Sequence, residues 1–239
     1  MILRKLEDSR FSEVLPAWRG ETAVVIGCGE SLTLEQIGRV RESDARAVAV
    51  NDAFLWADFA DAHYAADSHW HGWMSLGYWC KPNGERIPMD KPQLEMDAAE
   101  VKRRWAEFGG QKSTIETSGG NVADDRVHML RNRDGVRNHG YGLSLDPKYL
   151  VTGRNSGFQA LNMAVLAGAK RILLLGFDGR PGHFHGGHPR PTPNAVYPLY
   201  REAMKEAAEP LRKAGVEVLN CTPGSAVDTF PKVVLADAL

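Results

Sequence analysis

The chain has 239 residues, 43% of them hydrophobic, which is enough for a sizeable core and for one large domain. Its formal net charge of -1, with 25% charged residues, excludes the broad basic footprint of a protein that holds duplex DNA through its phosphates, so there is no global signal for nucleic acid. Cys28, Cys80 and Cys221 are odd in number and far apart, which excludes a disulfide framework and a zinc-ribbon spacing.

In chain order, residues 5–15 place Leu6, Phe11, Val14 and Leu15 at the spacing of a short amphipathic helix that Pro16 ends. Residues 1–20 contain no apolar run of signal-peptide length, and the longest apolar runs, such as residues 172–175, are strand-sized. The expectation is a cytoplasmic protein with no membrane span. Residues 22–26 (TAVVI) read as a buried parallel strand. A Gly-Cys-Gly-Glu-Ser loop follows, then a helix that Thr33 and Gln36 can cap. Strands are expected at 46–50, ending in Asn51-Asp52, and at 62–66, ending in Asp67.

The pattern weakens over 68–150. Residues 94–108 still read as a charged amphipathic helix, and 113–116 and 126–130 as strands. Order returns with Thr152-Gly153-Arg154-Asn155-Ser156-Gly157, a small-residue helix over 158–167, and an apolar strand at 171–175. That strand ends in Gly176-Phe177-Asp178. A Gly-, Pro- and His-rich loop, a helix at 199–214 and a strand at 216–219 complete the chain. Strands alternating with helices predict a Rossmann-like α/β fold: an open, mostly parallel sheet with helices on both faces. The expected organisation is a single nucleotide-binding domain over 1–239, with an elaboration at about 68–150 and a short lid at about 179–200.

Ligands of such sheets sit beyond the carboxyl ends of the strands. Gly27, Cys28, Gly29 and Ser31, then Asn51, Asp67, Gly176, Asp178 and Ser225 all fall at such ends. Thr152, Asn155, Ser156 and Gly157 add a helix start that can cradle an anion. The third glycine of the dinucleotide pattern is missing, and Asn51 stands where a ribose-binding acid is usual, which argues against an ordinary NAD-dependent dehydrogenase. His183, His185 and His188 share one loop. A histidine there suits a general base, since imidazole titrates near neutral pH; metal ligation and a solvated loop are the alternatives. Tyr197 and Tyr200 are placed to donate hydrogen bonds to a leaving phosphate, or simply to anchor their helix.

The motif order resembles the bacterial lipooligosaccharide sialyltransferases. The resemblance rests on Gly27-Cys28-Gly29-Glu30-Ser31-Leu32, Asn51, Asn155-Ser156-Gly157, Gly176-Phe177-Asp178, the histidine loop, and Cys221-Thr222-Pro223-Gly224-Ser225. The 6-hydroxymethylpterin diphosphokinases share a similar glycine loop and Gly-x-Asp strand end, and some short phage and prophage proteins look alike. The sialyltransferase resemblance implies a glycosyltransferase that uses a CMP-type sugar donor without a required cofactor. A lid histidine, His185 or His188, would be the base, and Tyr197 and Tyr200 would help the phosphate leave. Glu30 replaces the family's proline, and the lid is short. Two alternatives follow: a pyrophosphokinase needing Mg²⁺ at Asp67 or Asp178, and a non-catalytic binding module of the same fold. The expected partners are a nucleotide or nucleotide-sugar donor and an unspecified acceptor, and a homo-oligomer is compatible with the sequence.

Overall fold

The computed structural model describes residues 1–7, 9–91, 94–116, 122, 124–135, 138–186 and 192–239. Among these described residues eight strands form one parallel sheet. In chain order they are β3 (Thr22–Ile26), β4 (Arg46–Val50), β5 (Ala62–Tyr64), β8 (Gln111–Ile115), β9 (Val127–Asn132), β10 (Tyr149–Leu150), β11 (Arg171–Leu175) and β12 (Glu217–Asn220). Their spatial order is β10-β9-β8-β5-β4-β3-β11-β12, and each neighbouring pair is parallel. The chain therefore runs outward from β3 through β4 to β10, then returns to the other side of β3 with β11. The strand order reverses between β3 and β11, where a crevice opens at the carboxyl ends.

Period-2 alternation divides the strand residues between two cores. Val25, Val48, Tyr64, Ile172 and Leu174 pack with α4 (Ser156–Leu166) and α5 (Tyr197–Lys213) on one face. Val24, Ile26, Ala49, Leu173 and Leu175 pack on the other face with α1 (Leu34–Arg41), α2 (Ser68–Leu76), α3 (Ala98–Glu107) and α6 (Leu235–Ala238). With both faces covered, β3, β4 and β11 need continuous apolar sequence, which is what the chain supplies. The Thr33–Gln36 capping box forms as expected. The stretch 68–150 adds β8, β9 and β10 to the same sheet, together with a small hairpin of β6 (Tyr78–Cys80) and β7 (Arg86–Pro88).

The helix expected over 5–15 does not form. β1 (Leu3–Lys5) and β2 (Ser12–Val14) pair antiparallel, Leu3 opposite Val14. The Gln111 carboxamide oxygen accepts from the Ile2 and Leu3 amides, at 2.5 and 2.9 Å, and its NH₂ donates to the Leu3 carbonyl at 2.8 Å. Ser12 Oγ lies 2.9 Å from His128 Nδ1 on β9. These long-range bonds to the sheet satisfy the extended backbone and outweigh a local helical pattern of only four apolar residues.

Candidate ligand-binding cleft

A cleft of about 670 Å³ lies at the carboxyl ends of the central strands, at the reversal between β3 and β11. That volume falls in the range of small-molecule sites. Its walls come from the loops after β3, β4, β5, β9, β10, β11 and β12 and from the starts of α2, α4 and α5.

The loop after β3 crosses the loop after β11 at very close range. The Gly27 amide donates to the Leu175 carbonyl (2.8 Å), and the Gly29 amide to the Gly176 carbonyl (2.9 Å). A Cβ on Gly29 would stand 1.9 Å from Asp178 Oδ2, so only glycine fits there. The buried Asp178 carboxylate accepts from Ser31 Oγ (2.9 Å) and faces the Ser31 amide at 3.3 Å. The first anion cradle expected from sequence is therefore occupied by the protein's own carboxylate. Gly27, Cys28, Gly29, Gly176 and Asp178 line the cleft, while Ser31 lies behind Asp178 and outside the lining. Burial, then the nearby Asp52 charge, pushes the Cys28 thiol up to about 12, which keeps it protonated and a poor nucleophile.

Asn51 follows β4 at a φ of 50°, and the ring of buried His63 holds its carbonyl through Nε2 at 2.9 Å. Asn51 Oδ1 is buried without a hydrogen-bond partner among the described residues. Asp67 caps α2, accepting from the His69 amide at 2.8 Å, and both residues line the cleft.

The second cradle is uncommitted. Gly153 and Arg154 have φ values of 48° and 57°, which turn the chain sharply into α4. Asn155 caps that helix by accepting from the Phe158 amide at 3.0 Å. The Ser156 and Gly157 amides at the first turn have no acceptor among the described residues. Ser156 Oγ accepts from the Ala66 amide at 3.2 Å, and Gly157 is forced by Phe177, whose ring would lie 2.8 Å from a Cβ. Thr152 Oγ1 is likewise buried with no partner among the described residues. All of Thr152, Arg154, Asn155, Ser156 and Gly157 line the cleft. His139, from the loop after β9, joins them. Burial, then the Arg154 charge, lowers its imidazole below the ordinary range.

The loop between β11 and α5 closes another side. His183, Arg180 and the α5 residues Tyr197 and Tyr200 line the cleft. The tyrosine rings lie 5.8 Å apart, and burial, with Tyr197 and Asp67 adding, raises the Tyr200 phenol. His185 is not in the cleft wall: it is buried, with Nε2 3.3 Å from Asp52 Oδ2. His188 lies outside the described residues. Ser225 is buried beside the cleft, donating to the Phe177 carbonyl at 2.6 Å, so it braces the turn after β11 and does not line the site. Sequence reading did not single out Arg154, Arg180, His69 or His139. Arg154 stood in plain view inside the Thr152–Gly157 run, whereas nothing local marks His139. Among the described residues no group of three or more His, Cys, Asp or Glu side chains is gathered to hold a metal, and no helix is long and apolar enough to cross a membrane.

No family model matches the chain, and no curated protein matches it. Among solved structures it resembles the MAf glycosyltransferase from Magnetospirillum magneticum AMB-1, at a TM-score of 0.56 and 15% identity, over 97% of this chain and 36% of that one. It also matches the sialyltransferase CstII from Campylobacter jejuni, solved with a substrate analogue, CMP-3FNeuAc, at a TM-score of 0.46 and 10% identity, over 89% and 86% of the two chains. The chain thus spans little more than a third of the MAf protein. At this identity the likeness is one of fold, and the fold is the open parallel α/β sheet of the MAf glycosyltransferase.

Proposed function

We propose that the chain is a transferase that binds a nucleotide-activated sugar of the CMP type in this cleft and passes the sugar to an acceptor hydroxyl. The observation that carries the reading is the amino end of α4. There, two uncommitted amides, Arg154 and His139 share one cleft with Tyr197 and Tyr200. Backbone N–H groups at a helix start, beside a cationic side chain, suit a phosphate. The glycine loop, closed by Asp178, suits a neutral part of the ligand, because a second anion would meet a buried carboxylate.

In the transfer, the acceptor oxygen attacks the anomeric carbon and the bond from that carbon to the phosphate oxygen breaks. The electron pair leaves with the nucleotide phosphate, whose charge the α4 amides, Arg154 and the tyrosine hydroxyls stabilise. The acceptor proton passes to a lid histidine. Among the described residues, His183 is the lid histidine in the cleft wall, so we assign the base to His183 and not to His185. His188→Ala is the comparison variant. The fold similarity to a glycosyltransferase supports the reaction class.

A thermal-shift screen with CMP, CDP, UDP, GDP, ADP and ATP, each with and without Mg²⁺, tests the reading. A ligand at a hundred times its dissociation constant adds about 2.7 kcal/mol, which is visible as a raised Tm. A cytidine-selective shift independent of Mg²⁺ is expected. An ATP shift that requires Mg²⁺ would replace the transferase with a pyrophosphokinase, and no shift would point to a non-catalytic module.

A further inference from the structure

Behind the cleft lies a cluster of buried charge that the proposed transfer does not use. Asp52, in the 3₁₀ turn after β4, is 3% exposed. Its Oδ2 accepts from Lys91 Nζ at 2.5 Å and lies 3.3 Å from His185 Nε2, and its Oδ1 accepts from Trp70 Nε1 at 3.0 Å. Lys91 and His185 are each also 3% exposed. Three segments distant in sequence thus meet on one carboxylate: α2, the segment after β7, and the loop after β11.

The loop's share of this contact is a plug of two residues. The Phe184 amide donates to the Cys28 carbonyl at 3.1 Å, and its ring packs on Trp56 with centroids 4.7 Å apart. The His185 ring stacks on Trp56 with 16° between planes. Residues just before the plug, Gly179, Arg180, Gly182 and His183, stand in the cleft wall. The socket, formed by Cys28, Asp52, Trp56 and Lys91, belongs entirely to other elements.

The electrostatics favour a reversible latch. Stripping a buried ion of its only partner strands a charge, which is strongly unfavourable. Asp52 already has Lys91 and Trp70, so departure of His185 does not leave its carboxylate unpaired. The His185 ring can donate to Oδ2 through Nε2–H, and its release leaves the Asp52–Lys91 contact in place.

We propose that His185 is a positioning residue: its docking on the Asp52–Lys91 pair holds the loop after β11 so that His183 faces the cleft. The activity consequence rests on the transferase reading; the structural consequence does not.

Amide hydrogen exchange on the full chain tests it, with His185→Ala, His185→Gln and the double variant Asp52→Leu with Lys91→Met, which removes the acceptor of His185. In His185→Ala and in the double variant, exchange of the Phe184 amide should rise about tenfold or more, while amides of β3 and β11 stay as they are. His185→Gln, which keeps a donor, should recover most of the protection. Turnover of a CMP-sugar donor should fall in His185→Ala with CMP affinity within about twofold of the parent, a loss of kcat without loss of binding. Unchanged Phe184 exchange overturns the proposal. So does a rise of equal size in β3 and β11, which would make His185 an ordinary core residue. Should these variants fail to fold, exchange of the parent chain in low urea decides: a Phe184 amide that opens below the sheet supports the latch, and one that opens only with the sheet refutes it. If the exchange result holds but no nucleotide binds, the latch stands and only the transferase reading falls.

Discussion

Lowering the pH should destabilise this protein well before its carboxylates titrate, and His63 is the reason. His63 is fully buried, stacked 4.9 Å from Trp70 and met edge-on by Phe54 and Trp105. Its Nε2–H donates to the Asn51 carbonyl, so Nδ1 is the unprotonated nitrogen, and Nδ1 has no hydrogen-bond partner among the described residues. Burial lowers the imidazole from 6.5 to about 3. Between those values the unfolded chain binds this proton and the folded chain does not. Stability from this group is therefore complete above pH 6.5 and is lost as the pH falls towards 3. The loss is about 1.4 kcal/mol per unit well below the upper value, and about 2 kcal/mol by pH 5. Burial lowers His71 too, which adds to the same trend. Urea unfolding at pH 7.5 and pH 5.0, for the parent and for His63→Phe, isolates the His63 share. The parent should lose about 2 kcal/mol more than the variant between the two pH values. Equal losses would refute the reasoning. Since His63 also holds Asn51 in the cleft, the variant should bind CMP less tightly at both pH values.

Other consequences concern the floor of the cleft. Gly29→Ala puts a methyl 1.9 Å from Asp178 Oδ2 and 2.5 Å from the Gly176 carbonyl, so it should lower stability by about 1–3 kcal/mol in urea unfolding; a neutral substitution would mean that the two loops separate easily. Asp178→Asn weakens the hold on Ser31 and should lower stability by about 1–3 kcal/mol while leaving CMP affinity close to the parent's. A large gain in CMP affinity there would show that the phosphate goes to the glycine loop and that Asp178 was opposing it.

Much of the sheet was legible because it is buried on both faces. TAVVI, RAVAV and RILLL have the length and β-branched or apolar content of interior strands, and the small or polar residues after each mark the rim where ligands bind. β8 was harder to recognise as central, since its sequence QKSTI carries Lys112, Ser113 and Thr114 into the interior. There Ser113 Oγ donates to the His63 carbonyl at 2.7 Å, and the Lys112 ammonium lies 4.4 Å from the Trp105 ring, partnerships that no local pattern reveals. The N-terminal hairpin was misread because its stability comes from Gln111, more than a hundred residues away. In the site, the Thr152–Gly157 run could be read directly, since caps and tight turns are local chemistry. The self-occupied glycine loop could not be, because Asp178 reaches Ser31 across 147 residues. His185 was singled out as a histidine near neutral pH in a polar loop; its burial against Asp52 is a tertiary fact.

The central claim is that the ligand's phosphate sits at the amino end of α4. Amide resonances of the isotopically labelled chain, followed during titration with CMP, test it most directly. The account predicts saturable shifts, the largest at the Ser156 and Gly157 amides, without Mg²⁺, and weaker binding by about tenfold in Arg154→Ala with its Tm unchanged. Shifts centred on Ser31 and the glycine loop, or no shifts at all, would contradict it.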